Sequence, residues 1–150
     1  MKLYYDKPES LSAAISGERR GIVNREILFR GKRDDTGEWI EGYFGQSVDS
    51  FIIQDHGLVV GRFELFKVVP ETVGQFTGLT DKNGLKIFEG DIIAGKTGVF
   101  GIRWSKTICC FVAGESFKMV PYMTRGTMKD YEVVGNIHDN PELLEVNDNG

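Results

Sequence analysis

Proline, histidine and cysteine are all scarce in this chain, at 4, 2 and 2 residues respectively. The two cysteines, Cys109 and Cys110, are neighbours. A disulfide between adjacent residues is strained, and two ligands cannot build a structural zinc site. Both are read as plain thiols, one on each face of a strand. The two histidines, His56 and His138, stand beside turn residues and lack His-x-x-His or Cys-x-x-Cys spacing, so neither metal nor cofactor is expected. No nucleophile pattern accompanies them. No glycine loop of the phosphate-cradling or dinucleotide type occurs. No run approaches the roughly 18 apolar residues that a membrane-spanning helix needs. The opening residues, MKLYYDKPES, carry acids early and lack an apolar stretch, so no secretory leader and a cytoplasmic location are expected. Basic charge is also in deficit: 18 Lys and Arg against 22 acids leave a net charge of −4, which globally disfavours a phosphate backbone as partner.

Glycine and aromatics are plentiful. The chain has 19 Gly in 150 residues, well above the usual level of about 7%. Ten Phe, five Tyr and two Trp supply large buried areas, enough for a core even if the chain divides in two. Glycine scattered between short apolar runs means frequent tight turns, and that pattern predicts β-structure.

Four stretches follow along the chain. Residues 1–24 form an extension in which Pro8–Gly17 reads as one short helix, with Pro8 in the first turn and Gly17 as its stop. Residues 25–70 read as a β-rich portion, with strands predicted over Arg25–Lys32, Glu38–Phe44, Phe51–Gln54, Leu58–Val60 and Phe63–Val69, the last ended by Pro70. Residues 71–146 hold five or six more short strands. They include Lys86–Ile93 after a hairpin signal at Asn83-Gly84, then Gly98–Trp104, Ile108–Val112 and Tyr131–Ile137. A single helical turn after Asn140-Pro141 precedes a frayed tail at 147–150.

Three segments together resemble the YopX family of phage and prophage proteins: Arg25–Lys32, Val73–Ile93 and Val134–Leu144. The middle segment, Val-Gly-Gln-Phe-Thr-Gly-Leu-Thr-Asp-Lys-Asn-Gly-Leu-Lys-Ile-Phe-Glu-Gly-Asp-Ile-Ile, is the longest and most distinctive. The resemblance implies an N-terminal β-rich portion joined to a C-terminal SH3-like barrel, a coding context in phages or prophages of bacterial cells, and no established activity. Members begin near the Arg-Glu-Ile segment, so residues 1–24 depart from the pattern. The expected fold is therefore mainly β, with short terminal helices.

Several constellations invite chemistry. Asp81, Asn83, Glu89 and Asp91 offer four oxygen donors, but Gly84 comes two positions too early for a calcium loop of the EF-hand type. Turn stabilisation by Asp81 and Asn83, with Gly84 at positive φ, explains them better. Glu89 and Asp91 would share a face of an extended strand, as a carboxylate-based hydrolase needs. Gly90 between them favours a bend instead, and no catalytic residue is assigned. Arg103, Lys106, Lys118, Arg125 and Lys129, interleaved with Trp104, Phe111, Phe117 and Tyr122, are candidates for a single-stranded nucleic-acid surface. The competing reading buries the rings and leaves the cations in water. A second basic group, Arg25, Arg30, Lys32 and Arg33, is read as a solvated edge partly neutralised by Asp34 and Asp35. The expected protein is a non-catalytic phage accessory module that binds a host or phage protein, with self-association open and nucleic acid as the alternative partner.

Overall fold

A computed structural model describes residues 25–55, 63–114 and 121–145. The predicted helix at Pro8–Gly17, the strand at Leu58–Val60 and the tail at 147–150 lie outside the described residues. So do His56 and Lys118.

The first predicted hairpin forms from β1 (Phe29–Lys32) and β2 (Trp39–Gln46). Its turn closes with Gly37 N–H donating to the Arg33 carbonyl at 3.0 Å and Arg33 N–H to the Glu38 carbonyl at 2.9 Å. β2 runs on into β3 (Ser50–Asp55), which pairs with β4 (Phe63–Val68). Proline has no N–H to serve a ladder, so β4 stops before Pro70 and the chain turns through a 3-10 segment, Pro70–Thr72. The end of β4 then meets the end of β1: Val69 N–H donates to the Lys32 carbonyl at 2.9 Å. This curl encloses Ile52 and Val68, both fully buried, with Phe29 and Phe44 stacked 5.4 Å apart.

β5 (Gly74–Thr80) pairs with the other side of β1, and β6 (Lys86–Phe88) pairs with β5. The resulting antiparallel sheet has the order β4-β3-β2-β1-β5-β6. The sheet thus continues across Pro70. A second antiparallel sheet, ordered β10-β7-β8-β9, is made by β7 (Asp91–Gly95), β8 (Gly98–Ser105), β9 (Cys110–Ala113) and β10 (Glu132–Asn136). Ile87, Ile93, Ile102, Ala113, Met128 and Tyr131 form its core, drawn from both sheets and from the short helix α1 (Arg125–Met128). The arrangement is consistent with a small barrel. The terminal turn after Asn140-Pro141 is α2 (Glu142–Glu145), whose Leu144 packs on Gly101 of β8. The molecule is mainly β, as its glycine-punctuated apolar runs predict.

Two local expectations need correction. Cys109 and Cys110 do not share a strand with one thiol inside. A four-residue turn after Ser105 takes up Cys109, at φ +53°, and both thiols are exposed. The single strand expected over Lys86–Ile93 is also two, β6 and β7, which part at Gly90, at φ +87°, and join different sheets. Thr124 caps α1 by accepting a hydrogen bond from the Thr127 N–H at 3.2 Å, and Met128 fills the core.

The Asp81 turn is built as expected and does one thing more. Oδ1 accepts from the Asn83 and Leu85 N–H groups at 2.8 and 2.9 Å, and Gly84 takes φ +80°. Oδ2 accepts from Val133 N–H at 2.9 Å, tying the hairpin to β10 across 52 residues. Burial pushes this carboxyl up, but the three N–H donors outweigh it and hold Asp81 below its ordinary value. A carboxyl depressed by folding adds stability above about pH 4, where the unfolded form is ionised, and loses it as pH falls through the folded pKa. Charge-assisted hydrogen bonds each contribute about 1.5–3 kcal/mol. Asp81→Asn should therefore lower unfolding stability by about 2–3 kcal/mol at neutral pH. In denaturant titrations the deficit should shrink as pH drops through the folded Asp81 pKa.

Candidate functional site

One ion pair among the described residues is buried. Arg30 Nη2 lies 2.6 Å from Asp91 Oδ1, with the side chains only 14% and 1% exposed. The guanidinium is sandwiched between rings, its carbon 4.8 Å from the Trp39 centroid and 4.9 Å from Phe88. The other carboxylate oxygen accepts from the Phe88 N–H at 2.7 Å. Charge attraction and the two rings hold the pair. Burial outweighs Arg30 and the Phe88 N–H, so the Asp91 carboxyl is raised above its ordinary value.

A half-exposed layer lies above this pair. Asp139 accepts from Lys32 Nζ at 2.5 Å, Trp39 Nε1 at 2.7 Å and Asn136 Nδ2 at 3.1 Å, and these donors hold its carboxyl far below the usual range. The His138 ring stacks on Trp39 at 5.9 Å. Partial burial, followed by the charge of Arg30, lowers the His138 pKa. Through this cluster β1 and β2 of the first sheet are fastened to β7 and to the turn after β10.

The supposed solvated edge is thus only partly one. Arg33 does bind Asp35, at 2.9 and 2.6 Å. Arg30 and Lys32 instead reach acids about 60 and 107 residues away in the chain. Sequence reading missed this because the partners are remote; the one local hint was a cation embedded in an apolar strand, Leu28-Phe29-Arg30-Gly31.

Glu89 and Asp91 do not form an open carboxylate pair. Gly90 adopts φ +87°, which breaks the extended geometry that would align them. Asp91 is fully buried behind Arg30, while Glu89 is partly exposed. No group of three or more His, Cys, Asp or Glu poised to hold a metal occurs among the described residues.

The open feature is a groove of about 500 Å³ beside β9. Leu79 of β5, Arg103 of β8, Phe111 of β9 and Ile108, Pro121 and Tyr122 line it. Its apolar rim is unusually bare, with Tyr122 83% and Ile108 48% exposed. β9 is the last strand of its sheet, and no strand pairs with its outer edge among the described residues. Gly114 N–H donates to the Gly101 carbonyl, which sets the ladder phase. Antiparallel alternation then turns the N–H and C=O of Phe111 and Ala113 outward. Of the basic candidates, Arg103 lines the groove and its Nε donates to the Gly114 carbonyl at 2.9 Å. Lys106 sits in the turn after β8, and Arg125 and Lys129 flank α1 on opposite ends. Among the described basic candidates, Arg103 alone lines the groove.

With this geometry in hand, comparison with known proteins is informative. The family model described as "YopX protein" matches residues 28–145, so the chain belongs to the YopX family. The crystal structure of protein EF1440 from Enterococcus faecalis is similar at 27% identity with a TM-score of 0.51, covering 80% of this chain and 99% of that one. No curated protein matches it. No helix among the described residues is long and apolar enough to cross a membrane.

Removing one partner of a buried ion pair costs about 3–5 kcal/mol, because the other charge is left unpaired. Arg30→Met and Asp91→Asn are each expected to destabilise the fold on that scale in urea titrations. The combination Arg30→Met with Asp91→Leu should cost clearly less than the sum of the single changes. Asp139→Asn should cost about 1 kcal/mol at neutral pH, as befits a half-exposed pair. Its folded carboxyl is depressed, so this contribution is present above the ordinary pKa of 3.8 and fades as pH falls below it.

Proposed function

We propose that this YopX-family chain is a phage or prophage accessory protein that acts without catalysis, by binding an extended segment of another protein along β9. The groove beside the open β9 edge carries this reading. An unpaired strand edge offers main-chain donors and acceptors at a fixed spacing, and an added strand uses them directly. Here the outward groups of Phe111 and Ala113 would supply the ladder. The apolar walls at Leu79, Ile108, Phe111 and Tyr122 would take alternate side chains of the guest. The buried state of Asp91 supports the non-catalytic part, since a carboxylate sealed behind a guanidinium is not offered to a substrate.

Arg103 with Phe111 and Tyr122 in one groove also supports single-stranded nucleic acid as a second reading, through ring stacking and phosphate contact. The two separate in one experiment. Labelled peptides of about ten residues, alternating apolar and polar positions, are titrated into the full chain alongside oligo-dT at about 50 mM salt, where electrostatic binding is strong. The peptide reading expects saturable binding, amide shifts at Phe111 and Ala113, and at least about tenfold weaker affinity for Phe111→Asp, equivalent to about 1.4 kcal/mol. Binding of oligo-dT alone, steeply salt-dependent and abolished by Arg103→Ala with Lys106→Ala, would transfer the function to the second reading.

A further inference from the structure

The first described residues of the chain arrive beside the β9 groove. Leu28 extends the pairing of β1 with β5, its carbonyl accepting from Phe76 N–H at 2.8 Å. Two residues earlier, Glu26 is held by Lys86 Nζ at 2.9 Å. Lys86 opens β6 and stands opposite Thr80, the last residue of β5. Positions 26–28 therefore run along β5 beside residues 76–80, and Thr77 and Leu79 of that stretch line the groove. Residues 1–24 precede this point, so they join the described fold next to the groove wall. Phe111 and Ala113 line the same groove and turn their N–H and C=O groups out from the β9 edge. An open edge beside bare apolar side chains invites unwanted pairing, and proteins cover such edges.

The sequence before Arg25 holds one stretch suited to that edge. Met1-Lys2-Leu3-Tyr4-Tyr5-Asp6 alternates, with Met1, Leu3 and Tyr5 on one face of an extended strand and Lys2, Tyr4 and Asp6 on the other. Such alternation belongs to a strand with one face on apolar surface and one in water, which is the position an added strand takes over this groove. The stretch ends where it should, because Pro8 has no N–H for a ladder and holds Lys7 extended. Reach is ample. Residues 7–24 span about 60 Å when extended, and about 40 Å if 8–17 coil into the helix their sequence predicts. β9, with four residues, is only about 13 Å long. We infer that residues 1–6 pair with the outer edge of β9 in the same chain, seating Met1, Leu3 and Tyr5 in the groove, so that a guest gains the edge only by displacing them. This pairing rests on β9 being the strand-accepting edge proposed above, and it adds an internal competitor to that edge.

The test is amide hydrogen exchange of the full chain, read at Phe111 and Ala113, with circular dichroism and thermal melts to show that each variant is folded. Both amides should exchange at least about tenfold more slowly in the native chain than in the double variant Leu3→Asp with Tyr5→Asp, which sets carboxylates against the apolar walls. Lys2→Ser, on the solvent face of the same strand, should keep the protection. The alternating apolar and polar peptide should bind the double variant at least about tenfold more tightly than the native chain, because no internal strand competes. Sedimentation should give a single chain mass for both forms. Protection that is absent from the native chain, or unchanged in the double variant, overturns the inference; peptide binding at β9 would then leave the guest reading standing. Equal, measurable peptide affinity for the two forms overturns it as well. So does a dimer that the double variant dissociates, since the strand then passes between copies. Protection lost in the double variant while neither form binds the peptide upholds the internal pairing and removes the guest reading.

Discussion

The ion pair between Arg30 and Asp91 is the contact on which the rest of the molecule depends. It is the point where β1, in the middle of the six-stranded sheet, meets β7, in the middle of the four-stranded one. Two charges removed from water in this way cost several kcal/mol each unless something compensates. Here the compensation is dense: two ring faces against the guanidinium and a backbone N–H on the carboxylate. A purely apolar junction could be as stable, but it would tolerate sliding of one sheet over the other. A cation clamped between Trp39 and Phe88 has a single favourable position, so the pair sets how the two cores meet.

Acids in this chain respond to pH in opposite directions, according to whether burial or donors dominate. Asp91 is raised because burial dominates, whereas Asp81 and Asp139 are depressed because donors dominate. Protonation therefore relieves the first and weakens the other two. Two of the acidic residues best placed for chemistry by spacing, Asp81 and Asp91, are spent on architecture. Among the described residues, a strand edge, an apolar groove and an apolar sheet face are open to solvent.

Much of the fold could be read directly. β2, β4 and β8 lie where apolar runs between turn residues put them, and the Asp81–Gly84 turn is built by local hydrogen bonds from Asn83 and Leu85. Family membership was legible for the same reason, since Val73–Ile93 is a continuous segment whose turns and strands are locally dictated. β1 came out shorter than its predicted span, and α1 was missed, because four residues capped by Thr124 give too little periodicity to detect. Cys109 fell in a turn for which its neighbours carry no Gly, Pro or Asn signal.

By itself the sequence determined the strand-rich class, the turns and the family, because each follows from residues close together in the chain. Only the tertiary structure decided which charges are buried. Arg30 reads as a surface cation until β7 arrives, 61 positions on, with Asp91 at its start. It also decided that β9 is an edge and that Tyr43, Ile53 and Leu65 form one row, because strand order and register are properties of pairing between segments. A turn fixes the register of its own hairpin, but which strand ends at an edge is decided by pairing across the whole sheet.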